Sequence, residues 1–216
     1  MTGVDLARPL TVVSPTVDAD VLMVLASAEA EFTGRQVHQV AGRHSEKGVR
    51  NCLHRLVGQG IVNARRAGKA DLYSLNRRHL AAPYVIALAG LRHELLARIR
   101  AELAGWQEAP VFAALFGSAA AGRMRPDSDI DLLVVRPKGV DIEGAEWRHQ
   151  LEALSTDVTA WTGNDTRLLE LGEDEVQRGL EGGERVLADV RDEGVVLYGQ
   201  AAYLSAAPRR RRAGRG

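Results

Sequence analysis

Two aspartates, Asp129 and Asp131, stand either side of Ile130 at the head of an aliphatic run in LFGSAAAGRMRPDSDIDLLVV, residues 115–135. Side chains alternate along a strand, so both carboxylates are expected on one face and Ile130 on the other, in apolar packing. Like charges so close are driven toward protonation unless a positive charge joins them. A divalent cation resolves the conflict, and Mg²⁺ favours carboxylate oxygens, water and substrate phosphates. Upstream, Gly117-Ser118 follows the strand-like run over 111–116 and leads into a short helix in SAAAGR. A helix start offers free N–H groups, glycine lets a ligand approach the backbone, and a serine hydroxyl can donate to a phosphate oxygen. The chemistry expected is therefore a nucleoside triphosphate (NTP) held by one or two Mg²⁺ ions, with Asp129 and Asp131 as metal ligands, and attack in line on its α-phosphate.

The whole pattern is Gly117-Ser118, Gly122, then Ser128-Asp129-Ile130-Asp131 before an aliphatic strand. It resembles the nucleotidyltransferase family, which includes DNA polymerase beta, the aminoglycoside nucleotidyltransferases and the small stand-alone minimal nucleotidyltransferases. The similarity covers roughly residues 111–199. It implies Mg²⁺-dependent transfer of a nucleoside monophosphate from an NTP, ATP among them, to an acceptor hydroxyl, with release of pyrophosphate. By the same resemblance Asp129 and Asp131 are the catalytic metal ligands, and Gly117, Ser118 and Ser128 contact the nucleotide. Arg123 and Arg125 are close enough in sequence to meet phosphates and read equally well as solvated loop residues. The family adds a third carboxylate from a later strand. Here that strand is TRLLEL, 166–171, and aligning its aliphatic run puts Arg167 in the acid's place. Asp165 and Glu170 are the candidate substitutes. An acid reaching the metal pocket would favour an enzyme; Arg167 there would favour a regulator whose nucleotidyltransferase fold is degenerate, sensing nucleotide or inactive.

The elements that position these residues are legible as an α/β (α+β) domain over 106–200, a mixed sheet with flanking helices. A helix is expected across 144–163, one or two amphipathic helices follow TRLLEL, and a closing strand lies at 195–198. Glu173, Asp174 and Glu175 suit the start of a capped, solvated helix.

The formal net charge of zero, 28 basic against 28 acidic residues, hides an uneven distribution. Between Thr33 and Arg78 lie ten Lys and Arg residues against only Glu46 and Asp71, which makes this segment the candidate for a polyanionic partner. VDADVLMVLASAEAEF carries a helical period with Asp18 or Asp20 as N-cap, and TGRQVHQVAG is a shorter helix ended by Gly42. SEKGVRNCLHRLVGQG is a third helix, capped by Ser45, with Val49, Cys52, Leu53, Leu56 and Val57 on its apolar face. Its other face shows Lys47, Arg50, Asn51, His54 and Arg55. A hairpin turning at Gly68-Lys69 follows.

This order, over 17–78, resembles the winged helix-turn-helix domains of small bacterial transcription regulators. The resemblance implies DNA binding, with Arg50, Asn51 and His54 reading base edges from the third helix, Lys47 beside them, and Arg65, Arg66 and Lys69 of the wing on the backbone. The alternative is a protein-interaction module with solvated charges.

The remaining readings are organisational. Residues 1–16 form an N-terminal arm, and 79–105 a connecting helix whose stripe of Leu88, Leu91, Leu95, Ile99 and Leu103 packs within the chain or against a second copy in a homodimer. Residues 201–216 form a basic, disordered tail. A single cysteine, Cys52, excludes an internal disulfide, and no Cys/His cluster at ligand spacing suggests zinc. With no signal peptide or membrane-length apolar run, the chain reads as cytoplasmic, without a membrane partner. The acceptor is left open, a toxin or other protein included.

Overall fold

The structure, a computed structural model, describes residues 3–205; of the disordered tail expected over 201–216, Ala201–Ser205 instead forms a 3-10 helix with Leu204 buried, and the basic run at 209–212 lies outside the described residues. The chain divides into two compact units, residues 4–94 and, with Gly3, residues 95–205. The mixed α/β architecture expected from the sequence is present.

In the first unit, a 3-10 turn at Pro9–Val12 buries Leu10, and α1 (Val17–Ala26) follows. Asp18 and Asp20 do not cap α1 as expected: its N-cap is Thr16, and both aspartates lie in the first turn. Their charges are spent elsewhere. Asp20 is buried, accepts from Arg8 Nε at 2.8 Å and lies 2.6 Å from His44 Nε2, while Asp18 pairs with Arg55.

A two-residue strand, β1 (Phe32–Thr33), runs into α2 (Gly34–Ala41) through a capping box: Gln36 N donates to Thr33 Oγ1 and Thr33 N to Gln36 Oε1. Gly42, at φ +62°, ends it. α3 (Glu46–Gly58) starts where Gly48 N donates to Ser45 Oγ, and it buries Val49, Cys52, Leu53 and Leu56. The hairpin β2 (Val62–Ala67) and β3 (Ala70–Leu75) turns at Gly68-Lys69, and β1 adds antiparallel to β3. Val21, Leu25, Val37, Val49, Leu53 and Tyr73 belong to one core.

The single helix expected across 79–105 is two: α4 (Ala82–Ala89) and α5 (Leu91–Ala104), separated by Gly90. Gly90 N bonds to both Ile86 O and Ala87 O, tightening the turn at a residue that favours a continuous helix least after proline.

The second unit carries β4 (Phe112–Phe116), α6 (Gly117–Ala120), β5 (Ile130–Arg136), α7 (Ala145–Thr162), β6 (Thr166–Gly172), α8 (Glu173–Gly182), α9 (Arg185–Glu193) and β7 (Val195–Tyr198). The sheet order is β6-β5-β4-β7, with β5 and β6 parallel and the other pairs antiparallel. The βαβ crossover β5-α7-β6 makes the parallel pair available. Alternation sorts β5 into two sets. Leu133 and Val135 share a core with Val176, Leu187 and Val190 of α8 and α9. Ile130, Leu132 and Val134 point to the opposite face and are as fully buried. No helix among the described residues is long and apolar enough to cross a membrane.

Burial in the first core pushes the Cys52 thiol up to about 11. At pH 8 its thiolate fraction should be roughly a thousandth. Folded protein is therefore expected to resist a disulfide reagent at pH 8 and to react once unfolded in urea; rapid labelling of the native chain would contradict the buried position of α3.

Candidate active site

The turn from β4 into α6 is possible because Gly117 sits at φ +68°, and it brings the backbone against β5, where Phe116 is paired with Asp131. A Cβ on Gly117 would lie 2.5 Å from Asp131 Oδ2. Glycine is thus required twice, for the left-handed conformation and for the carboxylate's space. The helix beyond is shorter than expected, a single turn ending at Ala120. Its macrodipole is correspondingly small, since few peptides are aligned. What faces outward here is turn backbone and the Ser118 hydroxyl, which has no hydrogen-bond partner among the described residues.

Asp129 and Asp131 lie on one side of β5. Burial first, and then Asp129, hold the Asp131 carboxyl above its ordinary value, with Arg167 acting in the opposite sense. Arg167 is directly across the parallel pair from Asp131 and forms an ion pair with Asp129, its guanidinium 2.7 Å from Oδ2. The position where the sequence comparison called for an acid therefore holds a guanidinium.

Neither substitute acid supplies the missing carboxylate. Glu170 pairs with Val134, three residues further along, and by alternation it lies on the other face of the sheet from Arg167. There its Oε1 accepts from Arg136 Nε (2.9 Å) and Trp147 Nε1 (2.8 Å), which ties β5, β6 and α7 together. Asp165 is exposed, and its backbone oxygen accepts from Ile130 N. No group of three His, Cys, Asp or Glu side chains able to hold a metal occurs among the described residues.

Two carboxylates fit one Mg²⁺, which is commonly bound by one or two carboxylates with water and substrate phosphates completing its shell. Such an ion would meet the Asp131 carboxylate, which packs against the bare Cα of Gly117, with Asp129 beside it.

The loop ahead of the carboxylates is fixed from within. Ser128 N donates to Arg125 O and Arg125 N donates to Ser128 Oγ, both at 3.0 Å, so the Ser128 side chain closes this turn. Asn164, buried at the start of β6, donates to Ser128 O (2.9 Å) and Pro126 O (3.3 Å). The sequence reading passed over Asn164; its signal is an amide directly ahead of a strand that must lie parallel to the aspartate strand. Arg123 pairs with Glu193 at 2.8 Å. A cleft of about 740 Å³ lined by Val111, Lys138, Glu173, Val176 and Tyr203 lies at the other end of β4 and β5 and contains none of these residues.

The second set of expected residues is on the first unit. Lys47, Arg50, Asn51 and His54 are exposed together on α3, with no side-chain partner among the described residues. On the hairpin, Arg65 is held by Glu31 through two bonds, and Arg66 by Asp71 and Gly68 O, leaving Lys69 at the turn.

Residues 96–178 match the nucleotidyltransferase domain family. The matched segment runs from α5 into α8 and contains Gly117, Ser118, Asp129, Asp131, Asn164 and Arg167. No curated protein matches the chain. A solved structure described as a toxin-antitoxin with AMP-PNP is similar over 52% of this chain and 77% of its own, at 18% identity and a TM-score of 0.33.

The structural role of Glu170 predicts that Glu170→Ala destabilises the protein by about 2–3 kcal/mol in urea unfolding, because Arg136 and Trp147 lose their acceptor. Nucleotide affinity of the folded variant should stay within about twofold of wild type. Unchanged stability would contradict this structural role, and lost binding in a folded variant would place Glu170 in the site after all.

Proposed function

We propose that the second unit binds an NTP with Mg²⁺ and transfers the nucleoside monophosphate to an acceptor hydroxyl. The observation that carries the reading is the left-handed Gly117 turn packed against Asp131, with Asp129 alongside, inside the segment that matches the nucleotidyltransferase domain. Asp129 and Asp131 are the ligands for the ion, which when bound would neutralise charge on the phosphates. The Gly117-Ser118 turn receives the triphosphate through its backbone and the Ser118 hydroxyl. Ser128 acts on the nucleotide indirectly, by shaping the loop. In the transfer, the acceptor oxygen forms a bond to the α-phosphorus as the bridging P–O bond breaks, and pyrophosphate leaves with the electron pair. The acceptor proton goes to solvent, since Arg167 offers no base and Glu170 is on the far face.

Incubation with α-labelled and γ-labelled NTPs in turn tests this directly. Label should pass to an acceptor, nucleic acid or protein, from the α position alone, and Asp129→Asn with Asp131→Asn should abolish it. Transfer of γ label would contradict the reaction.

Arg167 favours a second reading, a regulator that binds nucleotide without turning it over. Nucleotide binding without α-label transfer to any acceptor would select it.

For the first unit we propose a winged helix-turn-helix that binds DNA through α3. The support is the unpartnered face of Lys47, Arg50, Asn51 and His54, against a hairpin whose Arg65 and Arg66 are already ion-paired and would have to leave Glu31 and Asp71 to meet phosphates. A homodimer through the 79–105 region would use exposed Leu80 (89%) and Tyr84 (73%), because Leu95, Ile99 and Leu103 are already buried within the chain. On DNA selected from a random pool, Arg50→Ala with Asn51→Ala should lose at least about tenfold in affinity while binding to random DNA changes little. Equal losses on both would show that α3 does not read bases.

A further inference from the structure

The charge on Arg167 has a consequence for how the site handles metal, given the nucleotide-binding reading above, on which this inference rests. The carboxylates of Asp129 and Asp131 with the Arg167 guanidinium sum to a formal charge of −1. A site of three acids would carry −3 and could share two divalent ions; this one is left at +1 by a single ion. A second ion would have to share the oxygens that hold the first and would face a fixed positive charge, for no third acid joins the pair among the described residues.

The guanidinium is nonetheless in position to matter. It lies on the same face and in register with Asp131, and 72% of its side chain is exposed. An ion pair this exposed is held weakly, so an incoming cation displaces Arg167 from Asp129 at little cost, about fivefold in an equilibrium constant at most. Planar, always charged and carrying several donors, arginine then presents to phosphate oxygens what a second metal ion would present.

We infer that Arg167 takes the place of a second metal ion: the Asp129–Asp131 pair takes one divalent cation, and the guanidinium released from Asp129 serves as the other positive charge toward the triphosphate. Arg167 is thus assigned to recognition of the nucleotide's phosphates, and the substitution of arginine for acid changes the metal count.

Electron paramagnetic resonance of Mn²⁺ bound to the full chain with a non-hydrolysable α,β-methylene analogue of ATP measures that count. Wild type should hold one ion per bound nucleotide and Arg167→Asp two. In Arg167→Ala the count should stay at one, while affinity for the triphosphate analogue falls about tenfold and that for the monophosphate barely changes. Arg167→Lys should recover part of the loss. Two ions in wild type, one in Arg167→Asp, or unchanged triphosphate affinity in Arg167→Ala would overturn the assignment of Arg167. Absence of both ion and nucleotide from wild type would instead overturn the nucleotide-binding reading.

Discussion

The parallel pairing of β5 with β6, in the register that sets Asp131 opposite Arg167, decides what the site can contain. Period-two alternation on both strands gathers Asp129, Asp131 and Arg167 on one face and sends Glu170 to the other. A slip of one residue would reverse this, bringing Glu170 to the aspartate face and Arg167 to the apolar one. Buried Leu133 and Val135 in β5, with Leu169 and Leu171 packed against the same core from β6, forbid that slip. The Arg136–Glu170–Trp147 cluster pins the opposite face. The polar chemistry is therefore held by apolar packing two residues along the same face of each strand.

The same economy governs the approach to the carboxylates. Gly117 turns the chain where any Cβ would strike Asp131, and Asn164 fixes the loop before Asp129 through two backbone carbonyls. A half-buried carboxylate beside another charge is costly, and Arg167 offsets part of that cost from outside. Such a site is poised to accept positive charge, and the charge it already has limits how much more it accepts.

Much of this was legible in the sequence because local chemistry announced it. Thr33 and Ser45 cap helices, Gly68-Lys69 turns a hairpin, and the runs at 112–116, 130–136 and 166–172 are strands. The face of Glu170 was missed, Glu170 being taken as a candidate acid although alternation along TRLLEL separates it from Arg167. What escaped depends on tertiary partners: Asp18 and Asp20 left the cap of α1 for Arg55, Arg8 and His44, and Asn164 acquires its purpose only when the 126–128 loop folds over it. The break at Gly90 and the single turn of α6 were hidden because apolar periodicity and small residues continue across both positions.

The most direct measurement is calorimetric titration of each NTP with Mg²⁺ into wild type and into the Asp129→Asn, Asp131→Asn double variant, since it requires no knowledge of the acceptor. The account predicts Mg²⁺-dependent binding of at least one NTP to wild type and its loss in a double variant that remains folded. Equal NTP affinity in the two proteins, or no binding to folded wild type, would contradict it.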